Sequence, residues 1–215
     1  SCMAQGQGPW VNEQELALID ELTGIYNRRA FNKYLAELIK DAQKDNYHAL
    51  LLVMDIDHFK NVNDTCGHLA GDNLIKDVAG LLRKSIRDVD IVCRYGGDEF
   101  VILFPKADKR IVHDIAERIR KSIAGFAFKT SEGEETISVT TSIGYASFPD
   151  EAGTPQELFA QADKALYASK ELGRNIVSGI TEVSVKIEKL NQVKSNIYRP
   201  PLVANTAEIE RVLSL

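Results

Sequence analysis

Residues 91–104 read Ile91-Val92-Cys93-Arg94-Tyr95-Gly96-Gly97-Asp98-Glu99-Phe100-Val101-Ile102-Leu103-Phe104. Two strand-like apolar runs flank a glycine pair followed by two carboxylates. The pattern predicts a β-hairpin bent at Gly96-Gly97, because glycine supplies positive φ and leaves no side chain to hold off an approaching ligand. For a Gly-Gly-Asp triplet alone, an ordinary hairpin with a polar tip is the competing reading. A second acidic segment tips the balance. Upstream, Ala49–Met54 is unbroken apolar sequence, as expected of a strand buried on both faces, and it exits into Asp55-Ile56-Asp57-His58-Phe59-Lys60. Alternation puts Asp55 and Asp57 on one face of that exit. Two acidic strand ends can thus meet, and a hard cation such as Mg²⁺ suits a site shared by Asp55 and Asp98 with phosphate oxygens completing the shell. Without a cation such carboxylates repel one another.

Helical periodicity runs over residues 11–20 and again over 29–42, where Phe31, Leu35, Leu38 and Ile39 form one stripe. A helix is expected over 72–84, another over 109–124 on Ile111, Ile115, Ile119 and Ile123, and a half-buried strand over 136–145. Thr154 and Pro155 read as N-cap and first residue of a last helix through Leu158, Phe159 and Leu166. Helices layered on one side of an antiparallel-rich central sheet give an α+β fold. The chain divides into an N-terminal extension (1–12), one domain (13–179) and a C-terminal extension of unknown role (180–215). In the last, Val183, Val185 and Ile187 alternate as in a strand, Ile187, Leu190, Val193 and Ile197 suit a helix, and Asn205 with Glu208 resembles a capping box.

At 215 residues and 44% hydrophobic the chain can bury one good core, and a net charge of −5 disfavours binding of nucleic acid polymers. Cys2, Cys66 and Cys93 are odd in number and widely spaced, so neither a disulfide framework nor a zinc site is suggested. No apolar run reaches the length of a membrane span and no signal peptide is evident, which leads to the expectation of a cytoplasmic location without membrane insertion.

The segments combine into a resemblance to the GGDEF-domain diguanylate cyclases of bacterial signalling, over residues 13–179. It rests on Gly96-Gly97-Asp98-Glu99-Phe100, on the entry segment Asp20-Glu21-Leu22-Thr23-Gly24-Ile25-Tyr26-Asn27-Arg28-Arg29, and on Asp55–Lys60 followed by Asn63-Asp64 and Gly67–Asp72. Ala162–Lys170 and Gly173-Arg174-Asn175 complete the set. The family fold is similar to the palm of nucleotidyl cyclases. The resemblance implies condensation of two GTP into cyclic di-GMP and pyrophosphate, by metal-assisted attack of a 3′-hydroxyl on the α-phosphate. It further implies that Asp55, the Ile56 carbonyl and Asp98 hold Mg²⁺, with Mn²⁺ as a substitute, and that Asp98, Glu99 and Lys60 are catalytic. Phe59, Gly96 and Gly97 meet substrate, and Lys170 with Arg174, at i and i+4 near a helix end, clamp phosphate. A solvated helix face is the structural alternative for that pair.

Asn63 and Asp72 are expected to read guanine, the carboxylate accepting from N1–H and the exocyclic amine. Their local alternatives are a turn cap for Asn63 and the opening of the 72–84 helix for Asp72. Asp98 stands where many members have Glu. Family members that make the mixed guanine-adenine product tend to lose the acid at this position, so the presence of Asp72 argues for cyclic di-GMP. Arg87 and Asp90 match the inhibitory Arg-x-x-Asp motif, with Arg118 as a second arginine, and so predict feedback by product; a surface ion pair is the alternative. Since each site takes one GTP, turnover implies a homodimer. The rival class is a non-catalytic GGDEF receptor that binds GTP or cyclic di-GMP and signals to a partner.

Overall fold

The computed structural model describes residues 17–129 and 136–184. Within the first unit, Ser1–Ile180, the described elements in chain order are α1 (Arg28–Asp45), β1 (Ala49–Ile56), α2 (Phe59–Cys66), α3 (His68–Ser85), β2 (Ile91–Arg94) and β3 (Glu99–Phe104). There follow α4 (Lys109–Ala124), β4 (Phe128–Lys129), β5 (Thr136–Ile137), β6 (Thr141–Phe148), α5 (Pro155–Glu171) and β7 (Val177–Gly179). Of the second unit, Thr181–Leu215, residues 181–184 are described and are helical. The readings made for 185–215, and the helical reading of 11–16, lie outside the described residues. Residues 17–20 form a turn and a bridge rather than the end of a helix.

β1 lies at the centre of the sheet β2-β3-β1-β6-β7, antiparallel to β3 and β6, while β7 runs parallel to β6. Its apolar run is unbroken because both faces are covered. Leu50, Leu52, Met54 and Ile56 share a core with Leu74, Ile75 and Val78 of α3 and with Val112, Ile115 and Ile119 of α4. On the other face α5 packs so closely on β6 that a Cβ at Gly144 would lie 2.0 Å from Leu166 N and 2.4 Å from Ala162 O. Helices therefore cover both faces of the sheet, which corrects the one-sided layering read from the sequence. The exposed edge of β2 is closed by Tyr26, which bridges to Cys93 and accepts a hydrogen bond from Arg94 N at 2.8 Å. Burial pushes the thiol of Cys93 up to about 12, so it stays protonated as a core residue.

Local signals explain most boundaries. Asn27 caps α1 by accepting from Arg29 N (2.9 Å) and Ala30 N (3.1 Å), and its amide donates to the Ala17 and Ile19 carbonyls. Asn27→Ala is expected to destabilise the protein by about 1–2 kcal/mol, read as a shifted urea midpoint, since a cap and a tether are lost together. Thr154 caps α5 by accepting from Glu157 N, with Pro155 at its first position.

Two boundaries differ from expectation. α3 opens at His68 after Gly67 (φ 82°), so Asp72 sits inside the helix and does not cap it. The strand expected over 136–145 is broken at Ser138–Thr140 into β5, which pairs with β4, and β6, which pairs with β1; Thr140 there donates its hydroxyl to the Asp57 carboxylate.

Candidate functional site

The site forms where β1 and β3 end side by side. Asp55 is the register partner of Glu99 on one flank and of Ser142 on the other, and Ile56 N donates to Asp98 O at 3.2 Å. The two acidic chain segments thus come together. Burial pushes the Asp55 carboxyl above its ordinary value; the hydrogen bond and charge of Lys170 pull it down, and the charges of Asp98 and Glu99 raise it further. Lys170, on the last turn of α5, reaches Asp55 Oδ2 at 3.0 Å.

The turn at Gly96-Gly97 does not use the positive φ expected of its glycines. Neither has φ in the left-handed region. A Cβ at Gly96 would lie 2.5 Å from Glu99 Oε2, the free end of a side chain, whereas Gly97 has open space. Arg94 fixes the turn by donating from Nε and Nη2 to Gly97 O (3.2 and 2.8 Å) and pairs with Asp20 at 3.3 Å. Asp20 in turn accepts from Thr23 N and Oγ1, so the entry segment is tied to the acidic turn. Sequence reading grouped these residues by motif and missed the link, which spans 74 positions.

Beyond β1, His58 adopts φ 59° and starts α2, so Phe59 and the exposed Lys60 occupy that helix's first turn, directly after the strand's acidic end. Asn63 of α2 lies against α3. A Cβ at Gly71 would lie 1.9 Å from Asn63 Oδ1 and 3.2 Å from the Phe59 ring. Gly71 therefore lets the Asn63 amide sit beside the residue preceding the exposed Asp72.

Arg174 is not on the helix with Lys170. α5 stops at Glu171, and Gly173 (118°), Arg174 (65°) and Asn175 (50°) all take left-handed φ, with Arg174 exposed. Counting i to i+4 along one helix face therefore does not describe the pair, and Arg174 reaches outward from a turn. Asp57, the neighbouring acid, faces inward. It is 4% exposed, and it accepts from Thr140 Oγ1 (2.6 Å), Ser142 Oγ (2.7 Å) and Asn175 N (3.1 Å). Three protein donors thus hold this acid, whereas the Asp55 carboxylate at the strand exit has Lys170 as its ion-pair partner.

Among the described residues no three carboxylate, imidazole or thiolate groups converge as a metal cluster. Two carboxylates with the adjoining Ile56 carbonyl nevertheless fit a magnesium-type ion, which takes one or two protein carboxylates and fills its octahedron with water and phosphate oxygens. The donor chemistry fits.

At the far end of the sheet, Arg87 grips Asp90 through Nη2 at 2.6 Å and donates to Pro105 O at 3.2 Å, while Arg118 of α4 donates to Ser85 O. The Asp90 side chain is fully buried. A cavity of ≈ 400 Å³ opens beside this pair, lined by Ile25, Arg83, Arg87, Asp88 and Asp90 among others.

Comparison with known proteins places this arrangement. The family described as "Diguanylate cyclase, GGDEF domain" matches residues 17–176. The response regulator PleD of Caulobacter vibrioides is 41% identical over 165 residues, covering 77% of this chain and 36% of that protein. The diguanylate cyclase DgcP of Pseudomonas aeruginosa is 41% identical over 165 residues, covering 76% of this chain and 24% of that protein. The chain thus spans well under half the length of these relatives. Among solved structures, the GGDEF domain of DgcB from Caulobacter crescentus in complex with c-di-GMP aligns at TM-score 0.73 and 36% identity, covering 77% of this chain and 96% of that one. No described helix is long and apolar enough to cross a membrane. With its profile matched over most of its length and its acidic turn seated against the β1 exit, the chain belongs to the GGDEF diguanylate cyclase family.

Proposed function

We propose that the chain condenses two GTP into cyclic di-GMP and pyrophosphate. The observation that carries the reading is the meeting of Asp55 with Asp98 and Glu99 at adjacent strand ends, with Lys170 poised on Asp55. Asp55, Asp98 and the Ile56 carbonyl would hold Mg²⁺, or Mn²⁺ in its place. When bound, such an ion polarises the α-phosphate and acidifies the attacking 3′-hydroxyl.

The protein's own groups supply the rest. Lys170, Arg174 and Lys60 bind triphosphate oxygens, and the chain around Phe59, Gly96 and Gly97 lines their path. Asn63 and Asp72 select guanine, with Asp72 accepting from N1–H and the exocyclic amine. Asp98 accepts the 3′-hydroxyl proton, and Glu99 keeps the field at the strand end negative before cation entry. Since each domain carries one such site, two copies face each other during turnover.

The relative solved with c-di-GMP supports a nucleotide ligand for this chain, and the cavity beside Arg87 and Asp90 suits product as an inhibitor, whereas Arg118, which donates to Ser85 O, is not among its lining residues. Arg87→Ala is expected to raise the half-inhibitory cyclic di-GMP concentration at least about tenfold, the worth of one charge-assisted contact. Asp90 still accepts from the backbone N–H of residue 87, at 2.9 Å in the parent, and a thermal melt of the variant checks that the fold withstands loss of this buried pair. An unchanged inhibition curve contradicts the assignment.

Incubation with GTP and Mg²⁺ at rising protein concentration, followed by chromatography, tests the activity. Cyclic di-GMP formed with a steeper than linear dependence on protein is the expected result. Intact GTP at every concentration points instead to a receptor that binds without turnover.

A further inference from the structure

We propose that Asp57 and Arg120 are positioning residues that hold the turn Gly173-Arg174-Asn175 in its left-handed form and so aim Arg174 at substrate phosphate. The proposal rests on the reading of Arg174 as a phosphate ligand. Left-handed φ at a non-glycine residue is uncommon and strained, and it persists when surrounding contacts over-determine it. Here two such residues follow a glycine without interruption.

The helix end secures one side of this turn, Gly173 N and Arg174 N donating to Lys170 O (3.4 Å) and Ser169 O (3.1 Å). Two groups from distant parts of the chain secure the other. Asn175 N donates to Asp57 Oδ2, and the Asp57 carboxylate is itself fixed by Thr140 and Ser142. Arg120 Nη1 of α4 donates to Asn175 Oδ1 at 2.8 Å. That guanidinium is aligned by Glu117, whose two oxygens accept from Arg120 Nε and Nη2 at 3.0 and 2.9 Å. Asn175 is thus held through backbone and side chain at once, and the adjoining Arg174 has its backbone direction set while its side chain stays exposed.

Neither Asp57 nor Arg120 meets substrate in this account. Asp57 is enclosed by its donors, and Arg120 spends its fork on Glu117 and Asn175. A role through Arg174 therefore has a distinct signature: removing the tie weakens recognition of the triphosphate and leaves recognition of the base, at Asn63 and Asp72, unchanged.

The test is calorimetric titration of the full chain with 3′-deoxy-GTP, which lacks the attacking hydroxyl, and with 3′-deoxy-GMP, both with Mg²⁺. Arg120→Ala is expected to weaken the triphosphate about tenfold, and the monophosphate less than about twofold. In an Arg174→Ala background the same change is expected to have no further effect, as groups acting through one another are not additive. Arg120→Lys, which keeps one donor for Asn175 Oδ1, is expected to recover part of the loss. Should Arg120→Ala fail to fold, Asn175→Gly serves, since it deletes the Oδ1 acceptor while glycine keeps left-handed φ accessible.

Equal weakening of both nucleotides, or full additivity with Arg174→Ala, overturns the positioning role. An Arg174→Ala protein that binds 3′-deoxy-GTP like the parent overturns instead the phosphate role of Arg174, a separate failure visible in the same data.

Discussion

Asp55→Asn is expected to lower kcat by about a thousandfold or more while leaving metal-free GTP binding intact or tighter. Mutational losses of that order follow removal of a preorganised group that stabilises developing charge, and here the carboxylate proposed to hold the metal at the β1 exit becomes a neutral amide. The second half of the prediction follows from Lys170. Its ammonium pairs with Asp55 at 3.0 Å, so the neutral side chain releases a cation toward phosphate and removes one negative charge from the nucleotide's approach. Asp98→Asn is expected to depress kcat comparably without freeing Lys170, whose pair lies with Asp55. Steady-state turnover with Mg²⁺, set beside nucleotide binding in chelator, separates the two effects. Parallel loss of turnover and metal-free binding in Asp55→Asn would mean that the carboxylate shapes the pocket and not the cation site.

The second large effect concerns the fold that brings those acids together. Gly144→Ala is expected to destabilise the protein by about 3 kcal/mol, lowering the thermal midpoint by roughly 6–12 °C. The obstruction is backbone, Leu166 N and Ala162 O of α5, and it cannot swing aside as the end of a side chain can. α5 would have to lift from β6, loosening Leu158, Ala162 and Ala165, all fully buried, and a leucine kept from water contributes about 1.5–3 kcal/mol. Lys170 rides on the same helix, so GTP affinity is expected to fall with stability. Gly80 gives the opposite sign. It lies within α3 with nothing within 4 Å of an added Cβ, and Gly80→Ala is expected to stabilise by about 0.5–1 kcal/mol. A Gly144→Ala midpoint matching the parent would show that α5 is not seated as described.

Much of the fold was legible because its signals are local. The unbroken apolar run of β1, the isoleucine stripe of α4 and the Thr154-Pro155 start of α5 each announce themselves within a short window. What escaped depended on distant partners. Ser138–Thr140 alternates as well as any strand, yet the run breaks there because β5 pairs with β4 and β6 with the distant β1. Gly67 ends α2 and opens α3, so two successive helices obscure a start that seemed to belong to Asp72. Arg174 was placed on a helix face by counting, but Gly173 halts the helix first. At the acidic turn the positive φ expected of the glycines is absent, and Glu99 folds back over Gly96. In the site itself the acids were visible as residue types, whereas the supports, Arg94 on Gly97 and Arg120 on Asn175, were not, since a supporting arginine looks like any surface cation until the fold supplies its acceptor.

The proposed cation site is tested most directly by a crystal grown with 3′-deoxy-GTP and Mn²⁺, with anomalous scattering used to locate the metal. The expected result is a manganese peak at coordination distance, about 2.0–2.2 Å, from carboxylate oxygens of both Asp55 and Asp98 and from a phosphate oxygen, with Lys170 drawn from Asp55 toward the triphosphate. A peak held by phosphate and water alone, with the Asp55–Lys170 pair undisturbed, would contradict it.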